Sequence, residues 1–242
     1  MSQTSLSVSG ITVEVGGTIV VKKANLDVRS GEIAILMGPN GSGKTSLLRA
    51  IMGFPSYKII AGNIYLDSLD VTNLPSWERA KAGIAIANQA PPALSLKTKW
   101  LFQKIAEKYG TQEELGKVVN EIMLQHLLER PAFNGFSGGE VKRAEMATVM
   151  LSKPKVALLD EPDSGVDVES TKKIANMIDA MAKMGVAILL VTHAGMLVRN
   201  LKMLGMGYVM INGRISQGGN ARDLLKYVLE EGYRNFRGSD IQ

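Results

Sequence analysis

The chain has 242 residues, 45% apolar and 21% charged, enough for one packed core with appended pieces or for two small domains. It contains no cysteine, which excludes disulfides, thiolate metal sites and cysteine-ligated iron–sulfur clusters on this chain. Twenty-eight basic residues against 23 acidic ones give a net charge of +5, but the pairs Lys22-Lys23, Lys142-Arg143 and Lys172-Lys173 are scattered, with little aromatic interleaving. A solvated surface is therefore expected, and no nucleic-acid partner. Residues 1–10 hold no apolar run of signal-peptide length, and no later run is long enough to span a bilayer. The expectation is a soluble, cytoplasmic chain without direct membrane insertion.

Residues 5–31 read as short β-strands, with Leu6/Val8, Ile11/Val13/Val15 and Leu26/Val28 alternating and Gly16-Gly17 as a turn. Ile59 to Leu66 is a further strand candidate. Four uninterrupted apolar runs, Ile33–Met37, Ile84–Ala87, Val156–Leu159 and Val186–Val191, suit parallel strands buried on both faces. Each ends where a chemical motif begins, as expected when ligands bind beyond the carboxyl ends of such strands. Between Pro91 and Ser152 the pattern turns helical. Thr111 to Glu114 predicts a capping box, and Leu115, Val118, Val119, Ile122, Met123 and Leu127 one helical face. Asn212-Gly213 predicts a tight hairpin turn and Asn220–Glu231 a closing helix. The helical stretch reads as an insertion into a single nucleotide-binding domain spanning 1–242. Its core and β subdomain occupy about 5–90 and 153–219, the helical subdomain 91–152, and the closing helix and tail 220–242.

Gly38-Pro39-Asn40-Gly41-Ser42-Gly43-Lys44-Thr45, with Ser46 behind it, is a phosphate-binding loop between a strand and a helix. Its glycines let backbone N–H groups turn toward phosphate oxygens, which the helix N-terminus also faces. Lys44 is placed for the β- and γ-phosphates, and the Thr45 hydroxyl for Mg²⁺. Asp160 and Glu161 end an apolar strand, where two carboxylates are costly unless a cation meets them. Mg²⁺ would be that cation, with Asp160 holding it through water and Glu161 polarising the attacking water. His193 ends another core strand, near the γ-phosphate; His126, inside the helical stretch, reads as structural. Gln89 ends a third strand immediately before the helical stretch, where it either senses Mg²⁺ or the attacking water and relays nucleotide state into that stretch, or is an ordinary loop residue beside Pro91-Pro92. Ser137-Gly138-Gly139-Glu140 is a capping box for a helix through Leu151 and, with its two glycines, also an anion site. With the phosphate loop serving its own ATP, that second site makes sense only in trans.

These motifs together resemble those of ATP-binding-cassette ATPases, over essentially the whole chain. The resemblance implies an α/β fold: a P-loop NTPase core of ABC ATPase type with an antiparallel β subdomain and an inserted helical subdomain. It also implies ATP and Mg²⁺ as cofactors, a Q-loop at Gln89, a signature at Ser137–Glu140, a D-loop from Ser164 to Asp167 and a switch His193. Two copies would close head to tail on two ATP molecules. Several details are similar to one branch, the SufC ATPases of iron–sulfur cluster assembly. Glu140 replaces the Gln usual in transporter signatures, Lys142-Arg143 follow, and Asp163-Ser164-Gly165-Val166-Asp167 matches that branch. So do Gly53-x-Pro55-x-Tyr57 with Gly62-x-Ile64, Arg79-Ala80 before Gly83-Ile84, and the tail Leu229 to Tyr233. The branch implies SufB-like or SufD-like scaffold partners, and a restraint on Glu161 by Lys142 in the isolated subunit. Pro162 departs toward the transporter pattern, residues 91–136 are shorter than in many relatives, and no aromatic stands near Val15 to stack adenine. The alternative is the nucleotide-binding subunit of a membrane transporter.

Overall fold

A computed structural model describes residues 4–192 and 195–237. β1 (Thr4–Val15) and β2 (Thr18–Arg29) make one hairpin, so the short strands expected here are two long ones. Its turn residues Gly16 and Gly17 have φ of 56° and 82°, the paired positive values that match strand twist. The alternation changes parity between Val8 and Ile11 because the ladder bulges there, where the Gly10 N–H donates to Asn25 Oδ1 at 2.8 Å. That extra residue keeps Leu6, Val8, Ile11 and Val13 all buried.

β3 (Ile33–Met37) leads through the phosphate loop into α1 (Lys44–Met52). β4 (Lys58–Leu66) pairs antiparallel with β1 and with β5 (Leu69–Asp70), completing a sheet in the order β2-β1-β4-β5. α2 (Ser76–Ala82) and β6 (Ile84–Ala87) follow. Three helices, α3 (Thr98–Tyr109), α4 (Gln112–Ile122) and α5 (Gly138–Leu151), come before β7 (Val156–Asp160). The chain then runs through α6 (Val168–Lys183), β8 (Ala187–Val191), α7 (Gly195–Asn200), β9 (Leu204–Ile211), β10 (Arg214–Asn220) and α8 (Ala221–Glu231). The second sheet has the order β10-β9-β3-β8-β7-β6, parallel except for the edge strand β10.

The four expected apolar runs are four of these parallel strands. Along β7, Ala157 and Leu159 face the cluster formed with α5 and α6. Val156 and Leu158 face the one formed with α1 and the first sheet. Both faces are buried, so no polar alternation survives in the sequence. Among the described residues no helix is long and apolar enough to cross a membrane.

Two local expectations change. Thr111 makes no cap to α4; its hydroxyl donates to the Leu151 carbonyl at 2.7 Å, satisfying an orphan acceptor at the end of α5. α4 also stops at Ile122, because Met123 turns to φ 53° as its C-cap and stays half exposed, while Leu127 packs from a separate 3-10 turn. The Asn212-Gly213 hairpin (φ 48° and 83°) is present, as is the closing helix, which Asn220 caps by accepting from the Arg222 and Asp223 N–H groups.

Candidate nucleotide site

The phosphate loop is hemmed in by backbone from both sheets. A Cβ on Gly38 would collide with the Met210 carbonyl of β9, and one on Gly43 would come within 2.8 Å of the Val20 carbonyl of β2. Only glycine lets the loop lie this close. Lys44 Nζ donates to the Gly38 and Pro39 carbonyls at 2.8 and 3.0 Å, which holds the ammonium inside the loop. Burial pulls its pKa down, and the Glu161 and Asp160 carboxylates pull it back up. Ser42 Oγ, buried in the same loop, has no hydrogen-bond partner, a polar atom that suits a phosphate-binding cradle. Lys44→Ala should therefore weaken ATP binding about tenfold or more, read by titration with a fluorescent ATP analogue.

Across the cleft, β7 delivers Asp160 and the turn after it delivers Glu161. Thr45 Oγ1 donates to Asp160 Oδ1 at 3.1 Å, so the hydroxyl and carboxylate proposed for Mg²⁺ stand together. Burial raises the Asp160 pKa, with the Thr45 hydrogen bond opposing. A cation would offset that burial, and hard oxygen donors are the set Mg²⁺ takes. Among the described residues no cluster of three or more His, Asp or Glu forms a metal cage. Mg²⁺ shared with phosphate oxygens needs only one or two protein ligands.

Glu161 adopts φ 50°, in the left-handed region that costs a non-glycine residue energy and recurs at functional sites. Its N–H donates to the Val191 carbonyl at 2.9 Å, and its Oε2 accepts from Gln89 Nε2 at 2.7 Å. Gln89, left open by the sequence, is thus brought onto the carboxylate. The next acid, Asp163, is buried and accepts from the Thr192 hydroxyl at 2.9 and 3.0 Å. The expected switch residue His193 lies outside the described residues. Asn40 to Ser46, Gln89, Glu161, Ser164 and Val20 line one cleft of about 850 Å³.

The signature segment lies elsewhere. Ser137 Oγ accepts from the Glu140 N–H at 3.3 Å while Glu140 Oε2 accepts from the Ser137 N–H at 2.7 Å, closing the expected capping box on α5. His126 Nε2 sits 3.0 Å from Glu140 Oε1. The His126 hydrogen bond, followed by the Ser137 N–H, holds the Glu140 carboxyl down at about 2. A Cβ on Gly138 would meet the Gly165 carbonyl at 3.1 Å, so signature and D-loop are packed together. Asp167 caps α6 by accepting from the Ser170 N–H at 2.9 Å, and Arg143 donates to the Ser170 hydroxyl at 2.8 Å. None of the described residues lining the cleft comes from the signature.

Residues 21–164, more than half of the chain, match the family model described as ABC transporter. The chain belongs to the ATP-binding-cassette family. This cassette is an ATP hydrolase. It is 35% identical to Vegetative protein 296 of Bacillus subtilis (strain 168), over 96% of this chain and 93% of the relative. It is 36% identical to "Probable ATP-dependent transporter ycf16" of Pyropia yezoensis, over 94% and 97%. Among solved structures it is similar to a nucleotide-free ATP-binding cassette from an ABC transporter (TM-score 0.81, 25% identity, 98% of this chain and 100% of that one). The ADP conformation of another such cassette superposes with a TM-score of 0.79 at 25% identity, covering 95% and 96%.

The structure of the cassette draws the Lys142 restraint differently from the sequence expectation. Lys142 Nζ donates to the Gln89 carbonyl at 2.7 Å, and it is the Gln89 side chain that meets Glu161. The sequence reading also missed two residues. Glu145, three positions after Lys142, is buried and accepts from the Asn88 N–H at 2.8 Å; burial pushes its carboxyl up to about 7. An acid at an inward position of α5 was the available signal. Val20 lines the cleft from β2, and nothing in its neighbourhood along the chain could have shown that.

Proposed function

We propose that this cassette is a SufC-like ATPase that drives shape changes in a soluble SufB- and SufD-type iron–sulfur scaffold. The observation that carries the reading is the position of its branch-like residues Glu140 and Lys142. Both lie on α5, the first locking the signature cap and the second reaching the Gln89 loop. The absence of cysteine agrees, since this subunit would supply motion rather than cluster ligands.

In this reading two copies approach when ATP binds, and Ser137, Gly138 and Gly139 of each close on the other's γ-phosphate. The location of the signature outside its own cleft supports the trans arrangement, and Ser164 and Asp167 would border the seam. Lys44 and the loop N–H groups from Gly38 to Ser46 would hold the phosphates. Mg²⁺, held by Thr45 and Asp160 with Gln89 nearby, would neutralise charge on the β- and γ-oxygens. Glu161 takes a proton from the attacking water as its oxygen bonds to the γ-phosphorus; the bond to the ADP oxygen breaks, leaving ADP and phosphate. His193 is proposed to steady the γ-phosphoryl group.

The second reading, the ATP-binding subunit of a membrane transporter, is favoured by Pro162 and by the transporter names that relatives carry. Co-purification from native extract separates the two. Soluble subunits bearing iron–sulfur clusters are expected with the tagged chain, and a polytopic membrane protein in their place would overturn the scaffold reading.

A further inference from the structure

The strand β6 ends at Ala87, and beyond it Asn88 and Gln89 are held by side chains of α5. Glu145 Oε2 accepts from the Asn88 N–H at 2.8 Å, and Lys142 Nζ donates to the Gln89 carbonyl at 2.7 Å. The two side chains are three residues apart, hence on one face of the helix. Both are almost fully buried, at 5% and 7% exposure. Two adjacent residues are gripped, Asn88 through its N–H and Gln89 through its carbonyl, with the 88–89 peptide held between the two contacts. The Gln89 side chain then reaches Glu161 Oε2 at 2.7 Å. The helix that provides the grip begins at the signature Ser137.

We infer that Lys142 and Glu145 form a two-point clamp that ties residues 88–89 to the signature helix, so that Gln89 orients Glu161 only when α5 is correctly placed. Both are positioning residues; they act through Gln89. Displacement of α5 as the signature engages a nucleotide is carried to the hydrolytic carboxylate by the two clamp hydrogen bonds and the Gln89–Glu161 bond rather than by loose loop packing. The inference rests on Gln89 and Glu161 having the hydrolytic roles proposed above.

The test uses the full chain. Glu145→Ala and Lys142→Met should each lower kcat for ATP about tenfold, since small misplacements of catalytic groups are costly. The dissociation constant for a fluorescent ATP analogue should stay within about twofold, because the phosphate loop is untouched. Glu145→Gln, whose amide oxygen can still accept the Asn88 N–H, should retain most of the turnover. Added to Gln89→Ala, Glu145→Ala should cost little more, because both break the same path. Unchanged or raised turnover in the two clamp variants would overturn the inference, and so would losses that multiply in the double variant. Raised turnover in Lys142→Met alone would return Lys142 to a direct restraint on Glu161. Amide hydrogen exchange at Asn88 separates the clamp from the catalytic reading. If Gln89→Ala leaves turnover intact, the role given to Gln89 has failed, yet faster Asn88 exchange in Glu145→Ala still supports the clamp and equal exchange refutes it. Should Glu145→Ala not fold, Lys142→Met carries the same comparisons.

Discussion

Glu161→Gln should reduce ATP turnover by about 10²–10⁴-fold, the range general-base catalysis supplies, while leaving nucleotide binding intact. The substitution is nearly isosteric. The new amide oxygen can still accept from Gln89 Nε2, the contact that Glu161 Oε2 makes at 2.7 Å. The backbone at φ 50° is unaffected, because its geometry is set by the chain around it, including the 2.9 Å hydrogen bond to the Val191 carbonyl. What disappears is the charge that accepts the proton of water. Removing one negative charge beside the phosphates also opposes ATP binding less, so the dissociation constant should hold or fall. Phosphate release measured beside analogue titration reads both quantities. Turnover within tenfold of the parent chain would show that another group takes the proton.

Arg79→Met should destabilise the fold by about 3–5 kcal/mol, as expected when a buried charge leaves its partners behind, and so lower the melting temperature by about 6–20 °C. The Arg79 guanidinium is buried at 3% exposure and donates to four carbonyls, Ala50, Ile51, Thr72 and Leu74, at 2.7 to 2.8 Å. Ala50 and Ile51 are in the last turn of α1, where carbonyls run out of helical partners; the Ala50 carbonyl also accepts from the Gly53 N–H at 3.0 Å. Burial lowers the Arg79 pKa to about 10, partly opposed by Asp70, so the group stays charged at neutral pH. Met fills much of the same volume but donates nothing, so four hydrogen bonds to carbonyls are lost, and of these carbonyls Ala50 keeps the Gly53 N–H. Thermal unfolding followed by circular dichroism checks this. A melting temperature unchanged within about 2 °C would mean that water or a shifted side chain replaces the guanidinium.

Arg79 also explains letters that the sequence offered only as a branch resemblance. Gly53 caps α1 at φ 80°, and a Cβ there would come within 2.8 Å of Arg79 Nε. Gly62 has a similar reason, since a Cβ would collide with the Ser9 carbonyl across the β1–β4 ladder. Gly53 and Arg79 are thus parts of one packing arrangement, and Gly62 belongs to a separate close approach of two strands.

The sequence by itself determined the family, the order of the strands' chemical ends and the identity of the groups at them. It could do so because these signals are local. A loop of fixed spacing, an apolar run ending in Asp160-Glu161 and a cap four residues long are each complete within a short stretch of chain. Thr111 and Met123 were misread for the same locality: a hydroxyl near a helix start has several possible acceptors, and Leu151, forty residues away, took it. Tertiary structure alone decided that Arg79 ties α2 to α1, that Val20 closes the cleft and that Lys142 and Glu145 grip residues 88–89. In the first and last of these the partners are backbone N–H and carbonyl groups, which every residue carries and no sequence pattern marks. The packing of α2 on α1 brings Arg79 to its carbonyls, and the packing of the helical insertion against the core brings Lys142 and Glu145 within 3 Å of residues 88–89.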